Sequence, residues 1–127
     1  MKYIAIIALS AVLAACSGGA SDESVKAAEA ALGNISQAKS MLASVNSVPD
    51  AQKLEADFAE IGQQYASAMK ALNSADQGDM ETAQALAQVT PKIAMEYQGM
   101  MAELNALQAR NSDAAQVLID ELKAFRP

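Results

Sequence analysis

The chain has 127 residues, 52% of them hydrophobic but only 4% aromatic, and its 9 basic residues against 15 acidic ones give a formal net charge of −6. It contains no histidine and one cysteine, which removes the usual general base, the Ser-His and Cys-His arrangements, the commonest transition-metal ligand and any intrachain disulfide. An acidic balance of this kind repels nucleic acid and anionic headgroups, so nucleic acid is not an expected partner.

The N-terminus opens with Lys2 and continues into an apolar run over residues 4–13, broken only by Ser10. A positive start followed by a short hydrophobic stretch is the layout of a secretory signal peptide. Extended to Ala15, the run still falls short of the roughly 20 apolar residues that a membrane-spanning helix needs. It ends in Leu13-Ala14-Ala15-Cys16, which resembles the lipobox of bacterial lipoproteins, with small residues before the cut and the cysteine immediately after it.

That resemblance implies that residues 1–15 are a cleaved leader, that the Cys16 thiol is the lipid (palmitate-type) attachment site, and that the new N-terminus carries a further acyl chain. The chemistry calls for cysteine because a thiolate is the nucleophile that accepts the lipid. Ser17, in the position where the family's retention pattern would place an aspartate, implies delivery to the outer membrane. The folded part is then expected to face the periplasm, with exposure at the cell surface as the alternative. Two or more acyl chains, each buried methylene contributing about 0.8 kcal/mol, make such an anchor stable. Residues 16–24, which include Ser17-Gly18-Gly19-Ala20-Ser21, read as the lipidated N-terminus and linker, with eight flexible residues spanning about 16 Å.

Removal of residues 1–15 takes Lys2 away and leaves 112 residues with 8 basic and 15 acidic side chains, a net charge of −7. That length suits one compact domain, placed at 25–127. The composition is rich in alanine, glutamine, glutamate and leucine, and no segment alternates like a strand. A first helix carries Val25, Ala28, Leu32, Ile35, Ala38, Leu42 and Val45 at steps of three and four, one apolar stripe, with Ser21, Asp22 and Glu23 suited to its N-terminus. Ser47-Val48-Pro49-Asp50 matches a capping box with proline in the first turn, and starts a second helix.

The stripe of that second helix is Leu54, Phe58, Ile61, Tyr65, Met69 and Leu72, ending before a turn at Asp76-Gln77-Gly78-Asp79. A third helix over residues 80–110 aligns Ala83, Leu86, Thr90, Ile93, Tyr97, Met100, Leu104 and Leu107. Pro91 falls inside it; because the stripe keeps register across the proline, a kinked continuous helix is expected, with a fresh start capped by Thr90 as the alternative. Asn111-Ser112-Asp113 then separates a last helix with Ala115, Leu118, Leu122 and Phe125, closed by Lys123, Arg126 and Pro127. Four amphipathic helices with short links give an all-α, antiparallel up-down four-helix bundle. The competing arrangement is a self-assembling hairpin or coiled coil, since the steps also approximate a heptad.

No constellation in these helices points to catalysis, and the chain is read as a non-enzyme without a cofactor or metal. Glu96 and Glu103 are expected on a solvated face, with Lys92 pairing to Glu96. Asp76, Asp79 and Glu81 read as a cap and turn, because the alternating oxygen ligands of a calcium loop are missing. Met69, Met80, Met95, Met100 and Met101 offer thioethers for copper(I), against the ordinary role of methionine as core filler. Gly33, Gly62 and Gly99 fall off the apolar stripes and read as surface glycines or contact points on outer faces. The leading expectation is therefore a membrane-anchored interaction module, an assembly factor, pilot or inhibitor/immunity type, with an unidentified protein partner. A self-assembling structural lipoprotein (homo-oligomer) and a small-ligand or copper(I) carrier are the alternatives.

Overall fold

The computed structural model describes residues 21–74 and 80–126. The leader, Cys16 and Ser17 lie outside the described residues, as do the turn containing Asp76, Gly78 and Asp79, and Pro127. The described residues form α1 (Ser21–Ser44), α2 (Val48–Ser74), α3 (Met80–Arg110) and α4 (Ser112–Leu122), the last followed by a 3-10 turn over Lys123–Phe125. The chain is an all-α four-helix bundle.

The apolar stripes make the core. On α1, Ala28, Ile35, Ala38, Leu42 and Val45 are buried, joined by Ala31 and by Ser24. The helix starts at Ser21, so residues 21–24, placed in the linker on sequence, form its first turn. Ser24 extends the buried stripe one turn ahead of Val25, and a polar, acidic start favours helix there. On α2 the core residues are Ala51, Phe58, Ile61, Tyr65 and Ala68, with Leu54, Met69 and Leu72 half-buried against them.

The α1–α2 turn is closed by the expected capping box. The Asp50 amide donates to Ser47 Oγ at 3.3 Å, and the Asp50 carboxylate accepts from the amide of Asn46, one residue before the cap, at 3.3 Å. Hydrogen bonding with the Ser47 side chain, and then with the Asn46 amide, holds the Asp50 carboxyl below its usual value of 3.8.

Helix α3 runs uninterrupted through Pro91, as the continuous stripe implied. Its buried face differs ahead of the proline: Thr82 is buried and Val89 packs on the core, whereas Ala83 and Thr90 are exposed. One position separates each expected residue from the observed one. A 3.6-residue repeat leaves adjacent positions about 100° apart, and the small side chain of Ala83 gave too weak a preference to set the phase. Beyond Pro91, Ile93, Met100, Leu104 and Leu107 are buried as expected.

Helix α4 is capped by Asn111, whose Oδ1 accepts from the Ala114 amide at 3.1 Å. The same corner ties down the α1–α2 turn. Arg110 Nη2 donates to the carbonyls of Val45 at 3.0 Å and Leu42 at 3.4 Å, and Asn111 Nδ2 donates to the Asn46 carbonyl at 3.3 Å. The C-terminus of α1 therefore lies beside that of α3, and helix directions alternate along the chain.

Helix α1 packs most extensively on α3 and next on α2, while α4 packs on α2 and more lightly on α3. The helices α2 and α3, although consecutive in sequence, barely touch. They stand on one diagonal of the bundle, and α1 and α4 on the other.

Candidate functional site

Helix lengths decide what this bundle leaves uncovered. At about 1.5 Å per residue, α2 with 27 residues and α3 with 31 residues are each more than twice as long as α4 with 11. The fourth layer ends where Phe125 meets Tyr65, ring centroids 5.3 Å apart and planes tilted by 37°. Among the described residues, no fourth helix accompanies α2 from that level to Ser74.

The step leaves a groove of about 480 Å³ whose walls include Tyr65, Ala66 and Met69 on α2 and Ala124 on the terminal 3-10 turn, with Lys70 and Arg126 at its edges. Burial, and then the neighbouring Tyr97, push the Tyr65 phenol above its usual value of 10.0.

Gly62 fixes how closely the terminal turn approaches. A Cβ there would stand 2.9 Å from Ala124 Cβ and 3.5 Å from the Phe125 ring. Gly62 is buried, a packing notch rather than the outer-face glycine expected from its phase. Gly99 corrects the same expectation differently: a Cβ would fall 2.9 Å from Lys39 Cδ, so the missing side chain is what lets the Lys39 stem lie across α3. Gly33 is exposed with nothing within 4 Å of its Cβ position.

The Lys39 ammonium ends 2.7 Å from Glu96 Oε2. Glu96 therefore pairs across to α1, not along α3 to Lys92. Helical spacing points Glu96 to its i−4 neighbour Lys92, but the cation within reach of its carboxylate is on another helix. Glu103 is half-buried on the same helix, and among the described residues no three histidine, cysteine or acidic side chains gather into a metal-holding cluster.

The methionines are not gathered either. Met100 is in the core, Met69 and Met101 are half-buried, and Met80 and Met95 are 77% and 69% exposed. Glu81 is exposed at the start of α3. No described helix is long and apolar enough to cross a membrane.

Five of these groove residues, Ala66, Lys70, Asn73, Ala124 and Arg126, carry no signal as a set when the sequence is searched for catalytic or metal motifs. The available clue was geometric. A segment of fewer than fifteen residues between Asn111 and Phe125 cannot run the length of a neighbour that spans the whole of α2. Comparison with protein-family models, with curated proteins and with solved structures finds no match for the chain.

Proposed function

We propose that the chain is a membrane-anchored envelope lipoprotein, held through Cys16 and facing the periplasm from the outer membrane, that acts as a non-catalytic protein-interaction module of the assembly-factor, pilot or inhibitor type. The observation that carries the contact role is the uncovered apolar face of α2 beyond the end of α4, with Met69 half-buried in its wall. An apolar groove between helical elements is a common seat for a partner's segment. The lipobox-like Leu13-Ala14-Ala15-Cys16 supports the anchor, and α1 begins five residues after Cys16. The body is thereby kept within a short reach of the membrane surface.

A photo-crosslinking residue placed at Met69 of the natively processed chain tests the contact role, with the exposed Gly33 position as control. The expected result is one predominant protein adduct from position 69 in intact envelopes and none from position 33. Absence of any protein adduct from position 69 overturns the reading. Mass spectrometry of the same material reads the acylation of Cys16 directly.

A second reading, self-association as a structural lipoprotein, is favoured by the outer face of α3. There Ala83, Leu86, Ala87, Thr90 and Pro91 line an uncharged hollow of about 420 Å³, and Met95 is exposed one turn further on. Sedimentation separates the two readings: a strict monomer removes the second.

A further inference from the structure

The groove below α4 also has a charge pattern, and from it we infer that its occupant is an acidic amphipathic helix of a partner protein, seated along α2 between Tyr65 and Ser74 with its carboxylates at Lys70 and Arg126. The inference deepens the interaction-module reading and rests on it.

The chain as a whole has 15 acidic residues against 9 basic ones, yet the two charged side chains lining this groove, Lys70 and Arg126, are both cations. From Ile61 to the end of α2 at Ser74 there is no carboxylate. The ion pairs among the described residues are Lys39 with Glu96 and Lys123 with Asp120, so both groove cations have their charge available to a visitor. The rest of the lining is mostly apolar, with Tyr65, Ala66, Met69 and Ala124 beside the uncharged polar Asn73 and Ser74. An apolar strip edged by two cations on an otherwise acidic body selects for a ligand with apolar residues in a row and anionic flanks. It also selects against the acidic helix surfaces that lack such a row.

Shape chooses a helix over other anionic ligands. The groove is more open than enclosed, so it does not surround a ligand in the way that small-molecule sites bury most of theirs. A helix satisfies its own backbone and needs only one face covered, which an open trough provides. The described residues form no sheet edge to which a strand could add. The uncovered length also fits: nine residues of α2 follow Tyr65, about 14 Å, the length of two to three helical turns. The partner's helix would complete the fourth layer where α4 stops.

The test uses the full chain as the cell processes it, in zwitterionic nanodiscs. The probe is a hydrocarbon-stapled helical peptide of about four turns with leucines at steps of three and four and glutamates on both flanks, and a control carries lysines in place of the glutamates. The expected result is at least a tenfold preference for the acidic peptide, inverted in the Lys70→Glu, Arg126→Glu double variant. Circular dichroism checks that this variant keeps its fold, and both substituted positions are exposed. Equal binding of the two peptides, or a preference untouched by the charge reversal, overturns the inference. So does a dimer of the chain that the double variant dissolves, because a second copy is then the occupant. If neither peptide binds while position 69 still crosslinks a protein in envelopes, the acidic-helix assignment falls and the interaction reading stands; if the crosslink fails as well, both fall.

Discussion

The two ends of the bundle are built from different materials. At the end where α3 turns into α4, the α1 stripe is Ile35, Ala38, Leu42 and Val45, all fully buried, and Phe58, Leu107 and Leu118 on the other helices are fully buried as well. Arg110 and Asn111 stitch the two helix corners together there through the carbonyls of Leu42, Val45 and Asn46. Toward the other end the α1 stripe shrinks to Ser24, Ala28 and Ala31, and the larger side chains around it, Leu72, Leu86 and Val89, are only half-buried.

Small residues let helix axes approach closely but supply little apolar area, at about 25 cal/mol per Å² buried. The closed end therefore holds most of the stability. The open end, three helices thick on the α2 side, retains the surface available for contact. Local opening follows local contact density, so the open end is expected to open without loosening the closed one.

The largest expected effect probes that asymmetry directly. Phe58→Ala removes a fully buried ring from the closed end and is expected to cost about 3–5 kcal/mol. Leu86→Ala at the open end, where the side chain is half-buried, should cost about 1–2 kcal/mol on the same scale. Urea midpoints at constant m-value measure both. Equal losses would mean that the two ends share the stability evenly and would break the comparison.

A smaller effect is expected at the boundary between the ends. Gly62→Ala places a methyl 2.9 Å from Ala124 Cβ, where neither group can swing aside, and overpacking of this kind costs about 1–3 kcal/mol. The companion Gly33→Ala meets nothing within 4 Å and should stabilise by about 0.5–1 kcal/mol through helix propensity. Ala124→Gly in the Gly62→Ala background should recover part of the loss, because the clash is between those two side chains. Failure to recover would place the strain elsewhere in the terminal turn.

Arg110→Ala sharpens the comparison at the closed end. The guanidinium donates two bonds to carbonyls that terminate α1. Its exposure to water limits the expected cost to about 1 kcal/mol. The loss should appear as faster amide exchange in the corner of α1 and α2, with the open end unchanged.

The closed end was also the part most legible in the sequence. Leu42, Phe58, Leu107 and Leu118 announce themselves by size and spacing, and Ser47 with Asp50 announces the turn by type. Small residues are what hid the rest. Ala31, Ala51, Ala68 and Ala114 are buried but alanine occurs on every face of these helices, so its periodicity says little. Thr82 took the position expected for Ala83 because, at the thin end, phase is set by which helix lies alongside and not by the apolar pattern of α3 itself.

The groove followed from a relation between elements, the short reach of α4 against the long α2, together with two cations, Lys70 and Arg126, 56 positions apart in sequence. No local motif encodes that. Nor does helical phase reveal what Gly62 and Gly99 do, because each makes room for a neighbour on another element, Ala124 in one case and Lys39 in the other.

The smallest expected effect concerns the cap that starts α2 at the closed end. The Asp50 carboxyl lies below its usual value of 3.8 in the folded chain, so the native state binds that proton less readily than the unfolded one. Such a group stabilises the fold above its unfolded value and loses that contribution as pH falls through the lower, folded value. Asp50→Asn should therefore melt below the parent at neutral pH and converge with it in acid. Ser47→Ala removes the hydroxyl that accepts from the Asp50 amide and should cost about 0.5–2 kcal/mol; the amide's bond remains in acid, while the part of the loss that comes from the hydroxyl's bond to the Asp50 carboxylate should fade as that carboxylate is protonated. Thermal melts of the three chains across the acid range separate the two halves of the box. If Asp50→Asn keeps its full deficit in acid, the carboxylate's charge is not what closes the α1–α2 turn.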